Sequence, residues 1–322
     1  MSLPVRLLNS RFLVTVPKPS TSFKGKTVII TGGNAGLGFE AAKQYLSLNA
    51  SKVILACRSL EKATAAKLSL EESSHCAPDA IEIWEVDLSS YQSVIRFCEK
   101  AQQLSRIDVL LLNAGIMTTE FRMAEDNEST LTVNVVSTFL MGFLLMPKLK
   151  ETAERFGTTP HMTAVSSDLH LISSFTERKS DDIFGAMNRK EKARMADRYN
   201  TSKLMLILIV RQFVLLKGAD FPVVLNTVNP GFCKSDLARE RSDPAFKVFE
   251  SVMARSGEEG ARNLVVATEA GRESHGKYIS DGVVKCESSF VTSKAGAAVG
   301  EKLWKELATK LERISPGVME NL

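Results

Sequence analysis

The chain has few of the residues that build metal centres and disulfide frameworks. Its 322 residues include only four histidines and five cysteines, and the cysteines are widely spaced without a CxxC pair. An odd number of dispersed cysteines in a chain of this length predicts free thiols in a reducing compartment. Because no HExxH motif or paired Cys/His spacing is present, we predict no metal site.

Long apolar runs and blocks of like charge are also absent from the sequence. Arg6, Arg11 and two prolines interrupt the apolar stretches of the N-terminus, and the apolar run at residues 204–210 is too short to span a bilayer. The 41 basic and 37 acidic residues give a net charge of +4, without the basic tail of many nucleic-acid-binding proteins. We therefore predict a cytoplasmic protein with no stable membrane insertion and no nucleic-acid partner.

Short β-branched runs alternate with longer helical patterns. The predicted strands are 27–31, 52–57, 81–86, 109–112, 162–166, 222–228 and 277–280. The predicted helices are 36–48, 60–72, 91–103, 129–149, 199–216, 257–270 and 295–313. This alternation predicts the α/β class, with a doubly wound, mostly parallel sheet covered on both faces. Because no linker interrupts it, we predict a single domain at 25–284, an N-terminal extension at 1–24 and a C-terminal helical extension at 285–322.

The first predicted strand runs into a turn with the spacing Gly-x-x-x-Gly-x-Gly. It contains Gly32, Asn34, Gly36, Leu37 and Gly38. Glycines in such a turn permit a tight bend and let backbone amides approach a pyrophosphate, and the N-terminus of the next helix offers free N–H groups to the phosphates. We predict a dinucleotide site here; the alternative is a turn without a ligand.

The end of the second predicted strand gives an independent indication of the cofactor. An acidic residue near this point binds the ribose 2′-hydroxyl in NAD-binding βαβ units, whereas an arginine accommodates a 2′-phosphate. Here the strand ends in Ala56, Cys57, Arg58 and Ser59, with no acid. Arginine forms strong charge-assisted bonds to phosphate, so we predict NADP(H); a solvated surface arginine is the alternative.

Tyr199 and Lys203 lie four residues apart in a predicted helix and therefore on one of its faces. A phenol with a pKa of about 10 is a weak acid–base group at neutral pH, and a neighbouring ammonium lowers that pKa. This spacing also arises often by chance, so its support comes from other polar residues. Ser167, Asn113 and Asn229 follow predicted strands, at the sheet edge where open α/β sheets bind ligands.

Taken together, these residues resemble the short-chain dehydrogenase/reductase family. The matching positions are Gly32, Gly36, Gly38, Asp87, Asn113, Ala114, Gly115, Asn134, Ser167, Tyr199, Lys203, Pro230 and Gly231. The Ala-Cys-Arg sequence after the second strand and the long interval between Ser167 and Tyr199 are most similar to the retinol-dehydrogenase and WW-domain-oxidoreductase-like branch, and to fungal reductases of secondary metabolism.

The resemblance implies a Rossmann-type fold and four catalytic residues. Tyr199 would be the general acid/base on the substrate oxygen, and Lys203 would lower its pKa and bind the nicotinamide ribose. Ser167 would polarise the carbonyl group. Asn134 would hold a water molecule of a proton relay behind Lys203.

The resemblance also places cofactor contacts after several strands. Asp87 and Leu88 would lie by the adenine, and Asn113, Ala114 and Gly115 along the cofactor. Pro230 and Gly231 would flank the nicotinamide, and Ser235 would bind its carboxamide where the family often has threonine.

We therefore predict an NADP(H)-dependent oxidoreductase that transfers a hydride to or from a ketone, aldehyde or secondary alcohol. The predicted substrate is a mid-sized apolar molecule, the setting secondary metabolism, and the candidate assembly a homodimer. The alternative is a redox-neutral epimerase, dehydratase or cyclase on the same scaffold. Two segments stay open: residues 168–198 are a solvated excursion or a substrate gate, and residues 232–256 hold an apolar lid or a buried helix face.

Overall fold

The computed structural model describes residues 3–74, 76, 77, 79–234, 237 and 244–322, with backbone only for 244–246 and 248. The strands are β1 Thr27–Thr31, β2 Lys52–Cys57, β3 Ile81–Glu85, β4 Val109–Leu112, β5 Met123–Ala124, β6 Asn127–Glu128, β7 His161–Val165, β8 Val224–Asn229, β9 Tyr278–Ser280 and β10 Val283–Lys285. The helices are α1 Leu3–Leu13, α2 Gly36–Ser47, α3 Leu60–Ser74, α4 Tyr91–Ala101, α5 Ser129–Leu131, α6 Ser137–Leu144, α7 Met146–Phe156, α8 Ile183–Met187, α9 Met195–Lys217, α10 Pro244–Met253, α11 Gly257–Glu269 and α12 Lys294–Ile314.

Eight strands form one sheet in the order β10-β9-β8-β7-β4-β1-β2-β3. All neighbours in it are parallel except β9 and β10. The chain starts at the centre with β1, proceeds outward to β3, and returns through β4 to the other half. This reversal creates a crevice between β1 and β4 at the carboxyl ends of the strands. The predicted doubly wound α/β fold is confirmed.

The sheet separates two apolar layers, which explains why its central strands read as continuous apolar runs. On one face α2, α3 and α11 contribute residues such as Tyr45, Leu70 and Leu264. On the other, α4, α6, α9 and α12 contribute residues such as Phe97 and Phe213. The central strand β1 is buried at every position, so both faces fix its register.

The single helix predicted at 129–149 is wrong. The chain there is helical at Ser129–Leu131, widens into a π-helical turn at Thr132–Val136, and resumes as α6. A further bend of 42° separates α6 from α7, and Pro147 lies in the first turn of α7. Proline suits that position because the N–H it lacks would have no partner inside the helix.

The two predicted extensions are both structured against the body of the protein. The N-terminal one contains α1, a helix that the sequence analysis did not predict. The C-terminal one contains α12, whose Trp304 ring lies 5.8 Å from Phe143 and 6.1 Å from Phe213. Strand β10 crosses the predicted boundary at residue 284, and the boundaries themselves stay predictions.

The charged segment at 168–198 is anchored to the body of the protein. Ile183, Phe184 and Met187 of α8 are buried, and the Glu306 carboxylate of α12 accepts the N–H of Ile183 at 2.9 Å. Arg198 is also buried, with its guanidinium 3.4 Å from Glu128. The segment therefore packs as part of the wall beside α9, which argues against a fully solvated excursion.

Among the described helices, α9 alone is long and apolar enough to cross a membrane, and 67% of its most apolar stretch is buried inside the protein. Its residues from Leu204 to Val210 are core residues. The length of the apolar pattern is thus accounted for by packing between the sheet and α12.

Candidate active site

The glycine-rich turn after β1 is built around a close approach of two glycines. Gly32 has a φ of +67°, in the left-handed region that glycine favours. A Cβ atom at Gly38 would lie 2.3 Å from the Gly32 carbonyl oxygen and 2.8 Å from Asn113 Nδ2. Asn113 Nδ2 in turn donates to the Thr31 carbonyl at 2.9 Å. Sequence prediction correctly brings Gly32, Gly38 and Asn113 together at the crevice between β1 and β4.

The N-terminus of α2 is suited to an anionic group. Its N-cap residue, Ala35, makes no side-chain capping bond, so the amides of the first turn lack the side-chain acceptor that usually satisfies them. Gly36 has a φ of +51°, and no atom lies within 4 Å of where its Cβ would be. An uncapped helix N-terminus with open space beside it suits the predicted pyrophosphate.

The end of β2 lies against the same turn. The Cys57 sulfur is hydrogen-bonded by the backbone N–H groups of Asn34 and Gly33, and burial raises the pKa of this thiol to about 11. Arg58 follows Cys57 directly and is exposed. Its exposed guanidinium can therefore reach the space beside the amides that would hold the dinucleotide phosphates. The predicted adenine-side residues follow the neighbouring strand β3: Asp87 accepts from the Ser89 N–H at 2.9 Å, and Leu88 is buried.

Tyr199 and Ser167 meet at the carboxyl edge of the sheet. Tyr199 lies in the second turn of α9, which begins four residues earlier than predicted. Its side chain faces that of Ser167, the residue that follows Ser166 after β7. Ser166 is buried and donates to the Lys203 carbonyl at 2.9 Å, so the second serine of the pair is the one that faces the tyrosine, as predicted.

Lys203 lies one helical turn after Tyr199. Its Nζ is 5.5 Å from the centre of the Tyr199 ring and donates to the Val165 carbonyl at 2.6 Å. Burial lowers the pKa of Lys203 to about 8. Burial also raises the pKa of Tyr199 above its ordinary value, with the Ser167 hydrogen bond opposing the rise. The rise comes from desolvation of the phenolate inside the protein; the lowering of the Tyr199 pKa by Lys203 stays a prediction.

Asn134 lies inside the π-helical turn, and all of its amide group is used. Its Nδ2 donates to the Ile116 carbonyl and to Ser202 Oγ, both at 3.0 Å, and its Oδ1 accepts the Ile116 N–H at 2.8 Å. A Cβ atom at Gly115 would lie 3.1 Å from Asn134 Oδ1 and 3.5 Å from Lys203 Nζ. The structure thus brings Gly115, Asn134 and Lys203 together, as the sequence predicts. The role of Asn134 in a water relay stays a prediction.

Three further predicted cofactor residues border the crevice: Ala114 and Pro230 on loops, and Leu37 in the first turn of α2. Ala114 donates its N–H to Thr31 Oγ1 at 2.9 Å, next to the glycine-rich turn. A Cβ atom at Gly260 of α11 would come within 2.7 Å of Leu37 and 2.4 Å of Cys233, so this close packing requires glycine. The Pro230 carbonyl accepts from Asn263 Nδ2 at 3.1 Å. Ser235 lies outside the described residues.

A buried charge pair that sequence reasoning missed lies against the start of the loop after β8. Gly231 has a φ of +87°, and a Cβ atom at this residue would lie 3.1 Å from the Arg255 guanidinium. Arg255 pairs with Asp281 at 2.7 Å, and both side chains are nearly fully buried. No local pattern marks these residues, because their partners are distant in sequence.

Asp168, directly after Ser167, was also missed. It accepts hydrogen bonds from the Tyr278 hydroxyl at 2.8 Å and from Asn229 Nδ2 at 2.9 Å. Its place beside the serine at the end of a strand was the available signal. His170 is structural: its Nδ1 donates to the Ser167 carbonyl at 2.7 Å and its Nε2 accepts the Ser288 N–H at 3.1 Å. Burial lowers its pKa, in agreement with a neutral ring.

The arrangement combines a hydroxyl donor, a buried acid–base pair and a dinucleotide cradle at one sheet edge. Ser167 and Tyr199 can both hydrogen-bond one substrate oxygen, and Lys203 places a positive charge behind the tyrosine. The groups of three or more His, Cys, Asp or Glu side chains that a metal ion needs were not found among the described residues. The site is therefore equipped for proton transfer at an oxygen next to a bound dinucleotide.

Known proteins resemble this chain in sequence. Residues 26–159 match the family model described as short chain dehydrogenase. The short chain dehydrogenase/reductase dmxR8 of Cryptosporiopsis sp. is 43% identical over 320 residues, covering 98% of this chain and 99% of that protein. The short-chain dehydrogenase anuD of Penicillium roqueforti is 39% identical, covering 97% and 84%. The chain therefore belongs to the short-chain dehydrogenase/reductase family, and the predicted resemblance is confirmed.

Solved structures share the fold at low sequence identity. The RhlG/NADP active-site complex of Pseudomonas aeruginosa has a TM-score of 0.62 at 21% identity, covering 82% of this chain and 97% of that one. Salutaridine reductase of Papaver somniferum has a TM-score of 0.60 at 19% identity, covering 79% and 99%. These likenesses support the Rossmann-type single-domain fold.

Proposed function

We propose that the protein is an NADPH-dependent reductase of an apolar ketone or aldehyde, reversible towards oxidation of the corresponding alcohol. The observation that carries this proposal is that the side chains of Ser167 and Tyr199 face each other at the carboxyl edge of the sheet, with Lys203 one helical turn away and the glycine-rich turn after β1, two strands from β7 in the sheet. The reaction class follows from family membership; the cofactor, direction and substrate are the proposed parts.

Arg58 supports the choice of NADP(H). It is the exposed basic residue at the end of β2, where a 2′-phosphate would lie and where NAD-binding units have an acidic residue. Solved structures of similar fold include complexes with NADP, among them that of a short chain dehydrogenase of Burkholderia cenocepacia. A bidentate guanidinium–phosphate contact would select NADP(H) over NAD(H).

The proposed chemistry needs few protein groups. A bound nicotinamide dinucleotide supplies the hydride. Ser167 orients and polarises the carbonyl by hydrogen bonding to its oxygen. Tyr199 donates its phenolic proton to the same oxygen as negative charge develops there. The Lys203 ammonium stabilises the phenolate that remains until a proton returns.

An apolar substrate is supported by side chains that border the nicotinamide side. Phe232 follows Gly231 directly, and its ring centre lies 5.3 Å from that of Phe249 on α10. Phe249 and Val252 of this helix are exposed, whereas Phe246 belongs to the residues without a described side chain. These aromatic and aliphatic groups suit the predicted lid over a mid-sized apolar molecule.

The setting and assembly are further parts of the proposal. We propose a setting in secondary metabolism, which the similarity to fungal short-chain dehydrogenases supports, and a cytoplasmic location. A homodimer is the proposed assembly, and size-exclusion chromatography with light scattering measures it: one chain mass in solution would contradict it.

The test of the proposed function is turnover of NADPH, and separately NADH, with a panel of apolar ketones, aldehydes and quinones, followed by product mass. Reduction adds two hydrogens to the substrate and favours NADPH. A product of unchanged mass, or one that has lost water, with no net cofactor consumption would instead show a redox-neutral enzyme. Preference for NADH would contradict the cofactor proposal alone.

A further inference from the structure

Helix α1 faces the body of the protein with polar side chains. Arg6 and Ser10, one turn apart, make its buried contacts, whereas Val5, Leu8 and Phe12 are between 44% and 59% exposed. A surface helix normally has the opposite arrangement, with its apolar stripe inward. Together with the partly buried Leu3 and Leu7, ionic and hydrogen-bonding contacts therefore attach α1 to the protein.

The first attachment is the ion pair between Arg6 and Asp168. Arg6 Nη1 lies 3.1 Å from Asp168 Oδ1, and the two side chains are only 15% and 8% exposed. The other partners of this carboxylate, Tyr278 and Asn229, are neutral. In the described part of the chain, Arg6 is the one cation paired with Asp168. A carboxylate this deeply buried requires such compensation to remain charged.

Asp168 controls the turn that carries the substrate-polarising serine. Its backbone N–H donates to Asn229 Oδ1 at 3.2 Å, while Asn229 Nδ2 binds its carboxylate at 2.9 Å. Ser167, the preceding residue, caps the following 3₁₀ helix by accepting the Leu169 N–H at 3.2 Å. Any shift of Asp168 towards water therefore moves Ser167 relative to Tyr199.

A second attachment holds α1 independently of Arg6. Ser10 Oγ donates to Asp281 at 2.5 Å, and Arg255 donates to the carbonyls of Ser10 and Val14. These contacts centre on Arg255, whose guanidinium lies beside Gly231. Because they do not involve Arg6, α1 stays docked when Arg6 is replaced.

We propose that Arg6 is a positioning residue for the reduction: its guanidinium fixes Asp168, and through it the Ser167 hydroxyl, in the geometry that carbonyl polarisation needs. The proposal rests on the proposed function. Loss of the guanidinium leaves the Asp168 charge facing only neutral donors, so the turn is pulled towards water. The effect reaches Ser167 and leaves the glycine-rich turn, on a different strand, in place.

The test compares Arg6→Gln with Arg6→Lys, and uses Arg11→Gln as the matched control. Arg11 lies on the same helix, and among the described residues its Nε donates to the Val252 carbonyl at 3.4 Å. We expect kcat of Arg6→Gln to fall about 10- to 100-fold, the loss typical of a catalytic group displaced by roughly 1 Å. Arg6→Lys keeps the positive charge and recovers much of this loss. NADPH affinity, measured by fluorescence titration, stays unchanged in all three variants, and Arg11→Gln behaves as wild type.

A crystal structure of Arg6→Gln provides a readout that needs no substrate. We expect Ser167 to have moved away from the Tyr199 hydroxyl. An unmoved Ser167 overturns the proposal, as does an unchanged kcat or a loss of NADPH affinity in parallel with kcat, which would mark a general structural role. If wild-type protein binds NADPH but reduces nothing, the proposed function fails, and the position of Ser167 still decides the role of Arg6.

Discussion

The carbonyl oxygen of Gly32 lies 2.3 Å from the place that a Cβ atom at Gly38 would occupy. No side chain fits in that space, since the obstacle is backbone. The two glycines therefore bring the start of α2 against the end of β1, and the uncapped amides of α2 are fixed in position by this contact.

Replacing Gly38 by alanine should separate α2 from β1 and weaken the dinucleotide site. We expect Gly38→Ala to lose at least about tenfold in NADPH affinity, since backbone amides must be placed closely to hold a pyrophosphate. Isothermal titration calorimetry measures the change. The control is Gly157→Ala, where φ is +60° and no atom lies within 4 Å of the new Cβ. It should lose about 1 kcal/mol of stability and no affinity; an equal affinity in both variants would contradict this account of the turn.

Arg58 should determine the choice between the two nicotinamide cofactors. Arg58→Ala removes a charge-assisted contact to the 2′-phosphate, so NADPH affinity should fall about 10- to 100-fold while NADH affinity changes little. Lys62→Ala, an exposed cation in the first turn of α3, is the control for general surface charge. If Arg58→Ala weakens both cofactors equally, the 2′-phosphate contact is not what Arg58 provides.

Burial of the Lys203 ammonium should lower the free energy of unfolding, and this group should be necessary for turnover. The fold buries its ammonium with the Val165 carbonyl as acceptor, and its pKa is lowered to about 8. A lowered pKa means that the folded protein prefers the neutral amine. Between about pH 8 and the ordinary lysine value, the unfolded chain binds more protons, so wild-type stability rises with pH in this window.

The variant Lys203→Met should lack that rise. At neutral pH it should be at least as stable as wild type, because a buried charge is replaced by an apolar side chain of similar length, and its turnover should be lost. Urea denaturation at several pH values measures the first effect. Lys305→Met, at an exposed position of α12, should keep the wild-type pH dependence. A strongly destabilised Lys203→Met would show that the ammonium makes favourable contacts beyond Val165.

The parts of the fold that depend on local sequence could be predicted. Strands β1, β2 and β4 begin and end where the β-branched runs do, and the glycine-rich turn is recognisable because its constraints arise within seven residues. Tyr199 and Lys203 were found in the same way, through their spacing on one helix.

Features that depend on contacts between residues distant in sequence could not be predicted. The π-helical turn at Thr132–Val136 forms where the Asn134 side chain binds the backbone of Ile116, which lies on the loop after β4. The cation that pairs with Asp168 is Arg6, which is distant in sequence. Helix α1 turns polar side chains towards the protein, where a surface helix usually buries apolar ones. Burial raises the pKa of Tyr199, and burial depends on the whole fold, which the local sequence does not show.

The central claim is that Tyr199 transfers a proton to the substrate oxygen while the bound dinucleotide supplies the hydride. The most direct measurement is single-turnover oxidation of NADPH by wild type and Tyr199→Phe with the best substrate of the panel, after equal NADPH affinity has been verified. The account predicts that the phenylalanine variant, which lacks the hydroxyl that faces Ser167, binds NADPH normally and loses at least about 100-fold in rate, the lower end of what general acid catalysis contributes. A variant that oxidises NADPH at the wild-type rate would contradict it.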